Sequence, residues 1–452
     1  MNQQEPIYDA LKLGRGRMAI LSLQHMFAMF GATILVPILV NKHFHGEGLT
    51  VQVTLFFAGV GTLLFHILSK FRVPAFLGSS FAFLGGFQTI ADLDSGKFSN
   101  MSYAEKLPYA TGGIVIAGLL YLILALIIKL VGVRKVMRFL PPIVTGPIII
   151  CIGLGLAPSA IQNAATCWPL ALIALVCVIV FNIWGKGMIK IIPILLAVVI
   201  SYIAALIMNA CGIMTASGDT LINFKPIVDA HIFGIPKFVI AKFDLTAILV
   251  MAPIAIASMM EHIGDISAIS ATTKRNFIED PGLQRTLLGD GLATALAGMF
   301  GGPANTTYGE NTGVLELSKV YDPRVIRLAA CYAIILGFIP KLSELIGSMP
   351  EAIIGGISFI LYGMISAIGI RNIVENRVDF TNSRNLIIAA SILVCGLGLG
   401  NGLTFTIGKV TITLTALAIA SIVGIVLNAI LPGKDYEFGT NPKGDENRGV
   451  HI

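Results

Sequence analysis

Three carboxylates lie in strongly apolar stretches, where an ionisable side chain is unusual. Glu261 and Asp265 are four residues apart in "MMEHIGDISAIS", and Glu310 lies in "GGPANTTYGENTGV". Residues four apart share one face of a helix, and two carboxylates on one face in a low-dielectric cavity do not both ionise readily. Such a pair can hold a proton near neutral pH. We therefore predict that Glu261 and Asp265 handle a proton, and that Glu261 and Glu310 accept hydrogen bonds from a polar ligand.

Two histidines and two further acids have competing interpretations. His262 follows Glu261 but points to another side of the helix, so it is either a packed neutral side chain or a member of the proton-coupling group. His25, in "SLQHMF", has the same two interpretations. Asp290 and Glu316 lie near the ends of predicted segments, where capping or solvation explains them. We keep His262 as a proton-coupling candidate.

The elements that carry these acids are interrupted. "VPAFLGSSFAFLGGF" breaks at residues 78–80, and the stretch around Glu310 breaks at residues 308–311. Non-helical backbone at membrane depth is tolerated only where protein or a water-filled cavity surrounds it, and paired broken segments are typical of transport sites. We predict that two short extended pieces pair near the midplane and that the half-helices after them direct their N-termini at one ligand. A re-entrant hairpin without a ligand is the alternative.

Composition places these segments in a membrane. Only 12% of the 452 residues are charged, whereas soluble proteins carry about 25%. About fourteen apolar segments fit the chain, and loops such as "SKFR", "GVRKVMR" and "WGKGMIK" then fall on the side of the basic N-terminus. This bias predicts a multi-pass protein of the cytoplasmic membrane, surrounded by lipid, with both termini in the cytoplasm. The basic residues lie in short loops, so no nucleic-acid partner is expected.

Fourteen segments divide into two sets of seven, and an odd number per half gives inverted repeats. "LPPIVTGPIIICIGLG" in the fifth segment resembles "MPEAIIGGISFILYGM" in the twelfth. Chance likeness between apolar helices is the alternative. The predicted fold is an all-α integral membrane protein of fourteen segments in two inverted seven-segment repeats, with the third (residues 74–92) and tenth (residues 307–319) broken by extended stretches.

Two aromatic residues in the predicted segments are candidate ligand contacts. Phe81 follows the first break, and Tyr362 lies in "LYGM" of the twelfth segment. Each is as easily a packing residue as a ligand contact. Together with the acids they suit a planar ligand with ring N–H donors and carbonyl acceptors. The sequence has no C-x-x-C, H-E-x-x-H or G-x-S-x-G pattern, so we expect no metal, no cofactor other than a coupling proton, and no enzyme activity.

Several longer motifs resemble the nucleobase–ascorbate transporter family. They are "SLQHMFAMFGATILVP", "PAFLGSSFAF", "EHIGD", "DPGLQRTLLGDGLATALAGMFGG" and "NTTYGENTGV", and the resemblance extends roughly from residue 21 to residue 431. "ENTGVLELSK" is similar to the family signature [QE]-N-x-G-x4-T-[RK], with Ser318 where Thr is usual. Purine-selective members usually carry Gln at the position of Glu310, so the resemblance favours uracil as the substrate.

The resemblance implies proton-coupled uptake by a homodimer with a core and a gate domain. The core would comprise residues 18–131 and 245–340, and the gate residues 140–210 and 351–431. Glu261 and Glu310 would bind ring N–H groups, and Tyr362 would reach in from the gate. Phe81 would pack on the ring. The backbone amides of Phe81 and Gly309 would face a carbonyl, and the remaining substrate-binding candidates in the two breaks are Ser80 and Tyr308.

One departure from the family pattern keeps alternatives open. Asp265 stands where the best-known uracil-type pattern has a second histidine, and an Asp here is common in purine-type members. A symporter for xanthine, uric acid or another nucleobase is therefore the first alternative. An anion transporter of the same fold is less favoured, because no basic residue lies near Glu261 or Glu310 in the sequence. An intramembrane aspartyl protease is disfavoured because its YD-like match, Tyr321-Asp322, falls in a basic loop.

Overall fold

The computed structural model describes residues 6–94, 96–400, 402–407, 410–434 and 436. Most of these residues are helical. The α-helices are α1 (Arg15–His43), α2 (Val51–Leu68), α3 (Leu84–Ala91), α4 (Tyr103–Val131), α5 (Val133–Met137), α6 (Pro142–Ala165), α7 (Trp168–Ile183), α8 (Met188–Ile191), α9 (Pro193–Ala210), α10 (Lys225–Asp229), α11 (Leu245–Met251), α12 (Ala255–Thr273), α13 (Leu283–Met299), α14 (Gly309–Ser318), α15 (Pro323–Gly337), α16 (Pro340–Gly347), α17 (Glu351–Glu375), α18 (Ser383–Gly398) and α19 (Ala416–Ile430). The strands are β1 (Leu77–Ser79), β2 (Asn305–Thr307), β3 (Leu403–Ile407) and β4 (Val410–Leu414).

The long apolar helices make this a multi-pass membrane protein. Seven helical stretches in the described part of the chain are long and apolar enough to cross a bilayer, or eight if α15 and α16, which meet at 83°, count as one broken span. Several other predicted segments are shorter apolar helices, among them α7, α18 and α19. Helix length alone therefore gives fewer spans than the fourteen predicted.

Helix ends fall on two opposite faces of the molecule. The Tyr8 hydroxyl, just before α1, donates to the carbonyl oxygen of Thr273 at the end of α12, 2.9 Å away. At the other end of α1, Lys42 Nζ donates to Asn163 Oδ1 at 2.6 Å and to Glu351 Oε2 at 3.1 Å. We call the side where α1 begins the first face and the side where it ends the second face.

Helices α6 and α17 pack against each other in a reciprocal way. Each starts directly after a proline, a residue whose fixed φ suits a helix start. A Cβ on Gly146 would lie 3.1 Å from the carbonyl oxygen of Gly369, and a Cβ on Gly355 would lie 2.8 Å from that of Ala160. Gly146 and Gly355 occupy the same place after their prolines, as do Ala160 and Gly369. Small residues at matched positions thus let the two backbones approach closely.

One predicted segment boundary is wrong. The fourteenth segment was expected over residues 411–431, but α19 begins at Ala416 and the preceding residues form β4, which pairs antiparallel with β3. "LTFTI" and "VTITL" alternate apolar residues with threonine, which is the two-residue period of a strand. High apolar content had outweighed that period in the sequence-based assignment.

Candidate binding site between the broken segments

The two interrupted segments meet as β1 and β2, which pair antiparallel. The ladder extends past both ends, because the Ser80 N–H donates to the Ala304 carbonyl at 2.8 Å and the Tyr308 N–H to the Phe76 carbonyl at 3.0 Å. A short 3₁₀ turn and α3 follow β1, and α14 follows β2. Since the strands are antiparallel, the two helical pieces leave from opposite ends of the ladder, and their N-termini face it from opposite sides.

Tyr308 fastens the two breaks together. Its hydroxyl donates to the Ser79 carbonyl at 2.9 Å and lies 3.3 Å from Thr33 Oγ1 on α1. Its ring lies against Gly78, where an added Cβ would be 2.4 Å from the ring. The hydroxyl of Tyr308 is therefore engaged inside the scaffold, and the predicted contact of this residue with a ligand stays a prediction.

The first turn of α14 brings Gly309 and Glu310 to the strand pair. Glu310 is half-buried, and its position in the first turn is the one that the helix dipole favours for a carboxylate. The next residue, Asn311, donates through Nδ2 to the His25 carbonyl at 3.0 Å and lies 3.3 Å from His25 Nδ1. His25, left open by the sequence, thus helps to hold α14 against α1.

Helix α12 brings the other two acids to the same place. Asp265 Oδ2 accepts a hydrogen bond of 2.8 Å from Thr307, the last residue of β2, and a Cβ on Gly309 would lie 3.7 Å from Asp265 Oδ1. Glu261 is one turn earlier on this helix and half-buried. Its Oε2 is enclosed and has no hydrogen-bond partner among the described residues. Of these two acids, Asp265 is already engaged with the scaffold, whereas Glu261 keeps an oxygen for another partner.

His262 points away from this group, as its helical position predicts. Its Nδ1 lies 2.9 Å from Asp290 Oδ2 on α13, and both side chains are fully buried. The interpretation of Asp290 as a capping or solvated residue is wrong, because α13 begins at Leu283 and Asp290 lies two turns inside it. Burial of a carboxylate is costly without a partner, and His262 provides one.

The remaining candidates come from two elements: Ser80 and Phe81 follow β1 directly, and Tyr362 lies on α17. Ser80 is fully buried, with its Oγ 3.5 Å from Ser258 Oγ on α12. The rings of Phe81 and Tyr362 are 6.0 Å apart between centroids and meet edge to face at 76°. Phe81 belongs to the predicted core and Tyr362 to the predicted gate, so this aromatic pair joins the two sets of segments beside the breaks.

Cavities approach the strand pair from both faces. One of about 270 Å³ runs from Asp265 and Gly309 to Arg371 and Glu375 at the first-face end of α17. Another of about 380 Å³ also reaches Gly309, together with Glu310, from that face. A third of about 330 Å³ lies on the other side of Phe81 and extends past the Asp92 region to the β3–β4 hairpin at the second face. The ring of Phe81 thus borders the cavity of the second face, and Asp265 and Glu310 border those of the first.

Sequence reasoning missed the polar residues that support the acids. Thr33 donates a hydrogen bond to the Tyr308 hydroxyl, and Thr307 donates one to Asp265. Asp290 forms a buried pair with His262. The signal for Thr307 was present, because "NTT" is a polar run directly before the break. Thr33 lies alone in an apolar stretch and gives no such signal.

The known proteins that this chain resembles in sequence are permeases. A sequence model described as a permease family matches residues 16–405. A uracil permease of Bacillus caldolyticus is 40% identical over 97% of this chain and 96% of its own length. Those of Bacillus subtilis (strain 168) and Escherichia coli (strain K12) are 39% and 36% identical, covering 91% of this chain and 92% and 90% of their own lengths.

Solved structures with the same fold are much more distant in sequence. The transmembrane domain of the cyanobacterial bicarbonate transporter BicA aligns with a TM-score of 0.59 at 16% identity, over 86% of this chain and 97% of that one. SLC26A9 aligns with a TM-score of 0.64 at 12% identity, over 93% of this chain and 66% of that one. At such identities the likeness concerns the fold alone.

Proposed function

Because the chain belongs to this permease family, with the match covering residues 16–405, we propose that it takes up uracil across the cytoplasmic membrane together with a proton. Uracil as the substrate is supported by curated uracil permeases that are 36–40% identical over most of the chain. The proton is supported by the cluster of acids beside the broken segments. The chain is a transporter and not an enzyme.

The ligand would lie between the strand pair and α17. Glu310, in the first turn of α14, and Glu261, with its unpartnered Oε2, are suited to accept the two ring N–H groups. The backbone amides of Phe81 and Gly309 would donate to a carbonyl, and the ring of Phe81 would pack on the pyrimidine. Tyr362 would close the site from the gate, and Ser80 and Tyr308 would complete it. The observation that carries this proposal is the pairing of β1 with β2, after which the two helical pieces start at Phe81 and Gly309, at opposite ends of one short ladder.

Glu261 is the proposed proton carrier. Asp265 is hydrogen-bonded to Thr307, and His262 lies buried with its Nδ1 2.9 Å from Asp290 Oδ2, so both are less free to exchange a proton with water than Glu261 is. Asp265 and His262 would act through Glu261 by tuning its protonation. A proton that crosses with the substrate gains about 2.3 kcal/mol per 100 mV, which corresponds to roughly fifty-fold accumulation.

The finer architecture is also part of the proposal. We propose fourteen segments in two inverted repeats, with a core of residues 18–131 and 245–340 and a gate of residues 140–210 and 351–431. The reciprocal contacts of α6 and α17 support it, since a two-fold axis relates equivalent residues in this way. So does the packing of α2 on α15 and of α4 on α13, which are pairs that such an axis would interchange. Alternating access would then move the core against the gate.

Orientation and assembly complete the proposal. The first face would be cytoplasmic, as the Lys and Arg bias of its loops indicates, and Asp265 and Glu310 would then border cavities on the cytoplasmic side. A homodimer in the lipid bilayer is proposed from the family resemblance alone. Light scattering of the detergent-purified protein tests it, and a monomeric mass would exclude it.

Uptake of labelled uracil into proteoliposomes with an imposed proton gradient tests the function. The wild type is expected to accumulate uracil and to lose accumulation with a protonophore, whereas Glu261→Gln should bind uracil more weakly and should not accumulate it. Gradient-driven accumulation by Glu261→Gln would remove Glu261 as the carrier.

A competition panel tests the substrate. Thymine and 5-fluorouracil should compete with labelled uracil better than xanthine or uric acid, and chloride and bicarbonate should not compete. A purine that competes best would favour the purine-type alternative, and competition by an anion would favour an anion transporter.

A further inference from the structure

Two threonines hold the outer edges of the strand pair in matching ways. Thr62 Oγ1, on α2, accepts a hydrogen bond of 2.9 Å from the N–H of Leu77, the first residue of β1; it donates to the Ala58 carbonyl of its own helix at 2.7 Å and lies 3.3 Å from the Leu77 carbonyl. Thr294 Oγ1, on α13, accepts one of 3.1 Å from the N–H of Asn305, the first residue of β2, and donates to its carbonyl at 3.0 Å. Both threonines are fully buried.

The physical need for such contacts comes from the two-stranded ribbon itself. In an antiparallel pair, alternate residues of each strand direct their N–H and C=O groups away from the partner strand. These outward groups form two sheet edges, and no water reaches a packed membrane interior to satisfy them. Leu77 and Asn305 are the outward residues that begin the two strands, because the ladder bonds join their neighbours Phe76 and Ala304. A hydroxyl from an adjacent helix satisfies the N–H group that begins each edge.

We propose that Thr62 and Thr294 are paired positioning residues that fix the register of β1 and β2, and through it the places of Phe81 and Glu310 in the site. The inference deepens the proposed function and rests on it for the identity of the ligand. Thr62 and Thr294 lie on the second and ninth predicted segments, which the inverted repeat makes equivalent. Neither touches the proposed ligand position, so their effect on binding passes through the strands.

The two edges are not equally dependent on their threonine. Asn305 has a second anchoring hydrogen bond, because its side-chain Nδ2 donates to the Phe57 carbonyl at 3.2 Å. Leu77 has an apolar side chain, which cannot make such a bond. Replacement of Thr62 is therefore expected to have the larger effect.

Isosteric replacement tests the proposal. Thr62→Val removes the hydroxyl while keeping the volume, and we expect the KM for uracil uptake to rise about tenfold, the change for about 1.4 kcal/mol, close to the net contribution of one hydrogen bond. Thr294→Val should raise it about threefold. Thr62→Ser and Thr294→Ser keep the hydroxyl and should restore a near-wild-type KM.

Matched controls come from the same two helices. Thr54 on α2 and Thr286 on α13 are buried. Their hydroxyls donate to backbone carbonyls close by in the sequence, those of Thr50, which caps α2, at 2.9 Å and of Leu283 at 3.0 Å. Thr54→Val and Thr286→Val should leave the KM unchanged. A KM that rises equally in these controls would reduce Thr62 and Thr294 to general packing residues and overturn the proposal.

A ligand-free measurement separates this proposal from the proposed function. Hydrogen–deuterium exchange of peptides covering residues 73–83 and 301–309 should quicken in Thr62→Val and Thr294→Val, and not in the Ser variants or the two controls. Unchanged exchange with unchanged KM would refute the positioning role while leaving uracil transport intact. If the wild type does not transport uracil but the Val variants still exchange faster, the positioning role is supported and the proposed function is refuted.

Discussion

The two broken segments share one backbone plan and carry different chemistry. Each has a three-residue strand followed by a helical piece that starts at the ladder. In the first, the residue that begins the helical piece is the aromatic Phe81, whereas the second presents Glu310 in the first turn of α14. The symmetry therefore belongs to the backbone, and the difference lies in the side chains. In the proposed site, the first break would pack on the face of a flat ring and the second would bind its polar edge.

The largest effect on uracil affinity is expected at Glu310, the carboxylate that the second break carries and the first break lacks. Glu310→Gln keeps the size of the side chain but replaces an acceptor by a group that also donates, so it would face a ring N–H with the wrong polarity in one orientation. Loss of a hydrogen bond to a charged group corresponds to about 1.5–3 kcal/mol, and uracil affinity should fall about 10- to 100-fold.

Calorimetry on purified protein measures this fall, with Glu344→Gln, an exposed carboxylate of α16, as the control. Wild-type affinity in Glu310→Gln would mean that the two breaks do not differ in the way described.

The next effect concerns the glycines at the two breaks. An added Cβ at Gly78 would lie 2.4 Å from the Tyr308 ring, whereas one at Gly309 would meet its nearest neighbours, Asp265 and Ile368, at 3.7 Å. Gly78→Ala should therefore destabilise the fold by about 1–3 kcal/mol through overpacking, and Gly309→Ala should fold normally. Thermal unfolding in detergent compares the two. Equal melting temperatures would show that the ring of Tyr308 can move aside.

A smaller effect is expected for the hydroxyl that joins the breaks. Tyr308→Phe removes the donor to the Ser79 carbonyl and keeps the ring against Gly78. The loss should be about 1 kcal/mol in stability, together with a modest rise in the KM for uracil. Tyr332→Phe, on α15, is the control. A fall in uracil affinity as large as that of Glu310→Gln would instead indicate that the hydroxyl meets the ligand.

The smallest effect is expected at the protein surface, where the ends of α1 and α12 make different contacts. Lys42, at the end of α1, bonds Asn163 and Glu351 of the predicted gate, whereas the corresponding end of α12 contacts Tyr8. Lys42 and Glu351 are 39% and 49% exposed, so their pairing contributes about 0–1 kcal/mol. Lys42→Met should barely change the melting temperature but should speed opening of the second face, measured by labelling a cysteine introduced at Thr89. Unchanged labelling would exclude Lys42 as a latch.

Much of the site could be predicted from local sequence, because small polar residues and a carboxylate stand out in apolar surroundings. The breaks at residues 78–80 and 308–311 were visible for this reason, and their pairing followed from the rule that exposed backbone must be satisfied in a membrane. The opposite orientations of Glu261 and His262 followed from helix geometry. What each acid contacts could not be predicted, since the partners of Asp265 and His262 are distant in the sequence.

The features that sequence reasoning missed have two physical causes. Thr62 and Thr294 are single hydroxyls in apolar helices, and a threonine there satisfies itself on its own helix as readily as on a neighbour. Asp290 was misjudged because it was placed near the end of a segment, whereas α13 begins at Leu283 and holds the residue two turns inside. The β3–β4 hairpin was missed because its apolar content suits a span, although its alternation suits a strand.

The opposed starts of the two helical pieces give the middle of the molecule a partial positive charge without any lysine or arginine. Peptide dipoles create this charge, and no substitution of a side chain removes it. The same backbone could therefore receive the electron-rich oxygens of a neutral heterocycle or a small inorganic ion, depending on which side chains surround it.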